Sequence, residues 1–204
     1  MARRHDLVGL TVLAMLSVRA SHPYELHRFI IDTHKDYVTG LPRSLYHAVE
    51  RLAKDELIVP AKTDREGRRP ERTVYEITDD GRQELATRLC RLVEQPDPDR
   101  RTLVAAVSLL GALEVPDAKR ALRTRTASVE GTISGIDAHR RAMADSGLPE
   151  MLMLKLECEQ ALYKAELAWL RDLLDRLDKG ELDWTGTVRR SLMEQALESQ
   201  VLES

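Results

Sequence analysis

Two short segments of this chain read as strands, and they constrain its fold more than any other feature. Leu57-Ile58-Val59 and Thr73-Val74-Tyr75-Glu76-Ile77 are rich in β-branched and aromatic residues, and the charged run Asp64-Arg65-Glu66-Gly67-Arg68-Arg69-Pro70 lies between them as a turn. The flanking sequence carries the spacing of helices instead. One hairpin among helices leaves too few strands for a sandwich or a barrel. The expectation is a mainly α protein with a small β-hairpin. Composition fits packed helices, since aromatics are 4% with a single Phe and the apolar mass is Leu, Val, Ala and Ile.

The order of elements narrows the fold further. Residues 6–18 read as an apolar helix. Ser21-His22-Pro23 stops it, and Ser21 or His22 leads into a second helix with Pro23 in its first turn, running to about His34. Gly40 and Pro42 mark a turn. A third helix begins near Arg43, with Leu45, Ala48, Val49 and Leu52 at i, i+3, i+4 and i+7 as its buried stripe. After the hairpin, Thr78 caps a fourth helix that reaches about Glu94. Helix, helix, helix, hairpin, helix within about 90 residues is the winged helix-turn-helix layout. Pro96 and Pro98 then disfavour helix, so the chain divides into an N-terminal domain, 1–95, and a C-terminal helical domain, 96–204.

The second part reads as helical throughout: about 100–113, then from Pro116 to about Asp145, then from the Ser146-Gly147-Leu148-Pro149 turn to about Lys179. In the last of these Met153, Leu156, Gln160, Tyr163, Leu167, Leu170, Leu174 and Leu177 alternate in steps of three and four, the period of an antiparallel coiled-coil-like seam. Two uses of that seam stand open: a pair of helices within one chain, or a homodimer through Met153, Leu156, Tyr163, Leu167, Leu170, Leu174 and Leu177. Gln160 within it suits a register-setting role. A last amphipathic stretch, 187–197, either packs back or projects onto a partner.

Net charge is −3, which does not favour nucleic acid, but the average hides an asymmetry. Residues 1–92 hold 16 Lys and Arg against 14 Asp and Glu, and residues 93–204 hold 15 against 20, so a head of +2 sits on a body of −5. On the third helix Arg43, Tyr46, His47 and Glu50 face away from the buried stripe, with Ser44 and Arg51 on its flank. Such a face can enter a major groove. Lys62, Arg65, Arg68, Arg69 and Arg72 gather cations on and around the hairpin tip, where flanking phosphates would run, diluted by Asp64, Glu66 and Glu71.

These segments together resemble the PadR family of winged-helix transcriptional regulators over about residues 10–85. The likeness is carried by Leu13-Ala14-Met15-Leu16 with His22-Pro23-Tyr24-Glu25-Leu26, by Ser44-Leu45-Tyr46, Ala48-Val49, Arg51-Leu52 and Leu57-Ile58, by Arg69-Pro70-Glu71-Arg72-Thr73-Val74-Tyr75-Glu76-Ile77-Thr78, and by Gly81-Arg82 with Leu85. The resemblance implies a repressor that binds a palindromic operator in double-stranded DNA as a homodimer and responds to a small aromatic or hydrophobic effector. It also implies that Ser44 and Tyr46 approach DNA and that Arg72 serves the wing. His47 stands where the family commonly has Pro, and Glu71 and Thr73 stand where small or basic residues are usual. The rival reading is a winged-helix protein-interaction module that does not read DNA; a small hydrolase or ligand carrier is more remote.

The remaining features exclude more than they assign. Cys90 and Cys158 lack the spacing of a metal or redox pair and read as buried apolar residues in a reduced, cytoplasmic setting. No stretch approaches the roughly 18 apolar residues of a membrane span, and Asp6 interrupts the signal-peptide look of the first residues. His22, His27 and His34 are not spaced as a metal pair. Trp169 and Trp184 are candidates for core packing or for lining an effector pocket. With no nucleophile–base pair, phosphate loop or metal motif, neither an enzyme nor a cofactor is expected.

Overall fold

The computed structural model describes residues 5–64, 72–182 and 184. The first helix, α1 (Leu7–Leu16), is apolar on every side, and its residues from Gly9 onward are buried, so it forms the centre of the N-terminal half. Asp6 caps it by accepting from Gly9 N at 3.0 Å. Helix α2 (Pro23–Asp32) starts as the sequence suggests. His22 is its N-cap, with Nδ1 accepting from Tyr24 N at 3.0 Å while the Glu25 carboxylate accepts from His22 N at 2.9 Å, and Pro23 fills the first position, where a missing N–H costs nothing. It stops two residues before His34, which takes a left-handed φ of 48° and cannot continue a helix.

Helix α3 (Arg43–Lys54) buries Leu45, Ala48, Val49 and Leu52, the expected stripe. Each fully buried Leu or Val there contributes roughly 1.5–3 kcal/mol. Strands β1 (Ile58–Asp64) and β2 (Arg72–Ile77) pair antiparallel, from Ile58 opposite Ile77 at the base to Asp64 opposite Arg72 at the far end. β1 is longer than its apolar start suggests. Pro60 is accommodated because the register shifts between Pro60 and Lys62, a bulge where a missing N–H is tolerated. Ser21 adds a third pairing, exchanging backbone hydrogen bonds of 3.0 Å with Tyr75. That bridge pins the loop before α2 to the hairpin and completes a winged helix-turn-helix.

Thr78 caps α4 (Asp79–Glu94), accepting from Gly81 N at 3.0 Å. Then follow α5 (Arg100–Leu109), a 3₁₀ turn at Leu110–Ala112, the long α6 (Val115–Asp145), a 3₁₀ turn at Glu150–Met153, and α7 (Leu154–Asp178), which folds back on α6. One buried apolar cluster reaches from Leu10 through Leu89, Leu122 and Val129 to Leu177, with α4 packed on α6, so head and body share a core. Among the described residues no helix is long and apolar enough to cross a membrane. The 187–197 stretch lies outside the described residues.

The α7 seam is used within the chain over its C-terminal part. Leu170 and Leu177 are buried, and Tyr163, Leu167 and Leu174 lie half-buried on the same cluster. Met153 and Leu156 are half-buried near the turn. Gln160 is buried and engaged at both ends of its amide: the nitrogen donates to Asp137, and the oxygen accepts from Arg140 at 2.9 Å. That pairing fixes the register of α7 against α6. Cys158 departs from expectation. It is exposed, because it falls on the outer face of α7; Cys90 is buried as expected.

Candidate nucleic-acid interface

The site begins with the turn that launches α3. Gly40 adopts φ 76°, which suits glycine, and Ser44 Oγ donates to Thr39 O at 2.8 Å across that turn. Ser44 thus both braces the turn and flanks the outer face. Lys35 and Tyr37, in the same loop, reach α5: Lys35 Nζ donates to Ser108 Oγ at 2.8 Å, and Tyr37 OH lies 3.3 Å from the same oxygen. Desolvation pushes the Lys35 ammonium below its usual range, and burial pushes the Tyr37 phenol above its own. The approach to α3 is therefore anchored on both sides.

With one face of α3 sunk in the core, the opposite face is open. Arg43, Tyr46, His47 and Glu50 are exposed, as the helical wheel requires. Lys54 is exposed on the same face, and the sequence reading missed it. Its signal was there: Arg43, His47, Glu50 and Lys54 step by four, three and four along one stripe. His47 Nδ1 stands 3.6 Å from the Glu50 carboxylate, one turn along the same face. Polar donors and two permanent cations on a protruding helix can meet base edges and phosphates.

Arg51 is placed differently from the other side chains expected here. Its guanidinium pairs with the Asp6 carboxylate that caps α1, and Arg88 approaches the same carboxylate at 3.9 Å. A methyl group on Gly9 would come within 2.3 Å of Asp6 Oδ2, so glycine leaves the space for this brace. Arg51 therefore locks α3 to α1.

The wing stands beside α3. Lys62 lies on β1 in register with Val74, and Arg72 opens β2 opposite Asp64. Arg65, Arg68 and Arg69 lie outside the described residues. Of the other candidates, Trp184 donates from Nε1 to Leu113 O at 2.9 Å and lines a cleft of about 540 Å³ with Arg82, Leu85, Ala86, Leu113 and Val115, whereas Trp169 is exposed on α7. Burial raises the Cys90 thiol above its usual range. Among the described residues no group of three or more His, Cys, Asp or Glu is arranged to hold a metal ion.

Residues 12–87 match the model of the transcriptional regulator PadR-like family, a span from α1 into α4. Similar solved structures include Bacillus subtilis PadR in complex with operator DNA, 18% identical, covering 86% of this chain and 99% of that one with a TM-score of 0.43. The same protein in complex with p-coumaric acid is 18% identical, covering 84% and 99%, with a TM-score of 0.38. The protein smu.1604c from Streptococcus mutans UA159 is 19% identical, covering 82% and 98%, with a TM-score of 0.37. No curated protein matches the chain.

Proposed function

We propose that this chain, with its PadR-like segment at 12–87, is a DNA-binding transcriptional repressor that reads a palindromic operator as a homodimer. The observation that carries the reading is the open face of α3 on a winged-helix scaffold. Residues 1–95 act as the reading head. Arg43, Tyr46, His47 and Lys54 face the major groove, Ser44 touches its edge, and the wing with Lys62, Arg65, Arg68, Arg69 and Arg72 meets phosphates alongside. Arg51, braced on Asp6, holds α3 from its flank and stands beside the same groove. The mild +2 charge of the head suffices because the cations are local.

Residues 96–204 form the body that pairs two heads. The inner seam of α7 is largely occupied by its own chain, which leaves the opposite face for a second copy. Leu154, Cys158, Ala161, Leu162, Ala165 and Trp169 are all exposed there and step along one stripe. A two-fold pair through that stripe matches a two-fold operator. The cleft at Trp184, between α4 and the start of α6, is where a small aromatic or hydrophobic effector would act on the head.

Fluorescence anisotropy with DNA from upstream of the gene tests the reading across a salt series. Saturable, sequence-selective binding that weakens with salt is expected. Arg43→Ala and Lys54→Ala should each weaken it and flatten the log–log salt slope by about 1. No binding even at low salt would instead favour a winged-helix protein-interaction module.

A further inference from the structure

A buried ion pair sits where the reading head meets the body. Arg125 of α6 and Glu166 of α7 have side chains only 4% and 6% exposed, and Arg125 Nε donates to Glu166 Oε1 at 2.7 Å. The rest of the Arg125 guanidinium turns toward α4, with Nη1 donating to Val93 O at 3.1 Å and Gln95 O at 3.2 Å. These carbonyls end the last helix of the head, where a helix leaves its acceptors unpaired and its dipole favours a cation. Glu166 also faces α5: Arg100 Nη1 lies 3.8 Å from Oε2, and the Arg100 guanidinium sits 5.6 Å from the centre of the Tyr163 ring. Helix α4 with its C-cap Gln95, and α5, α6 and α7, thus converge on one carboxylate and one guanidinium.

Apolar packing alone would hold α4 against α6, as the shared core already does. What the pair adds is direction. A guanidinium donating at once to a carboxylate and to helix-terminal carbonyls fixes an angle as well as a distance. Buried ion pairs contribute little net stability compared with apolar side chains of similar size, so one retained here has its best use in specifying geometry.

We propose that Arg125 and Glu166 are positioning residues for operator reading: they set the angle of each winged helix on the α6–α7 body and thereby the spacing of half-sites the dimer accepts. The inference rests on the DNA-reading proposal above. The structural readout is an intrachain distance by pulsed electron paramagnetic resonance. Spin labels are placed through Gln83→Cys on α4 and His139→Cys on α6 in a Cys158→Ser background, and labelled chains are diluted with unlabelled protein. Two variants are compared with the parent, Glu166→Gln, which keeps the shape and removes the charge, and Arg125→Met with Glu166→Leu, which replaces the pair by apolar side chains.

The parent should give one narrow distance distribution, and both variants a broadened or shifted one. The functional readout is affinity for operators whose half-sites are moved apart by half a helical turn. The parent should lose about 100-fold because both heads can no longer engage, and the variants should lose much of that preference. A merely stabilising pair would weaken binding at every spacing alike. An unchanged distance distribution in a folded variant overturns the proposal whatever the DNA result. Parent protein that selects no DNA overturns the function proposed above and the operator-spacing role with it, whereas DNA selection with an unchanged distance distribution overturns this inference alone.

Discussion

Gly81 occupies a position that no side chain fits. A methyl group there would lie 2.1 Å from Leu57 O and 2.8 Å from Ile77 Cγ1, at the seat of the hairpin on α4. Gly81→Ala should destabilise the protein by about 1–3 kcal/mol in denaturant unfolding, and an unchanged midpoint would mean that the α4–hairpin contact has room for a methyl group. The two cysteines should separate just as clearly. Cys158 is exposed, while Cys90 is buried and its thiol is held above the usual pKa. At neutral pH a thiol reagent should therefore modify Cys158 quickly in chains diluted to monomers, where the α7 stripe that carries it is uncovered, and Cys90 only on unfolding; two fast thiols would contradict this placement. At this scale the sequence was most legible where helical spacing decides. The spacing of Leu45, Ala48, Val49 and Leu52 marks them as buried and Arg43, Tyr46 and His47 as outward, and the structure places them so. Arg51 lies on the flank of the same wheel, but its role depends on Asp6, 45 residues away in sequence, and no local pattern reports that pairing. Lys54, by contrast, is legible from its spacing to Arg43, His47 and Glu50.

At the scale of elements, caps and breakers were the reliable signals. Thr78 and Pro23 open the helices expected of them, and the 146–149 turn separates the two long ones. Two elements were less visible. The polar half of β1 has no apolar alternation to reveal it, and the Ser21–Tyr75 bridge joins segments far apart in sequence. The α7 seam shows a further limit: a heptad identifies a packed face but does not say whether the partner is the same chain or another. Placing Tyr163, Leu167, Leu170, Leu174 and Leu177 against the chain's own core turns attention to the opposite stripe. Leu162→Glu, at an exposed position, should leave helicity intact and weaken dimerisation at least about tenfold in sedimentation equilibrium, since a charge would be buried unpaired between copies. An unaltered association constant would exclude this face as the contact.

At the scale of the whole molecule, the acidic body and the mildly basic head together give the net charge of −3, and the proposed DNA-reading surface is a small part of the head. Overall charge is therefore a poor guide here. The distribution over α3 and the wing is the relevant quantity, and it predicts attraction that is local and salt-sensitive. The apolar cluster running from α1 to α7 joins head to body within the chain, so in the proposed dimer operator reading would depend on how two bodies meet as much as on the residues of α3. The most direct test is selection of random DNA fragments by the purified full chain, followed by sequencing. Enrichment of a two-fold symmetric motif, with half-sites about one helical turn or a multiple apart, is the result this account predicts. Fragments no more enriched than the input pool, at low salt and with folded protein, would contradict it.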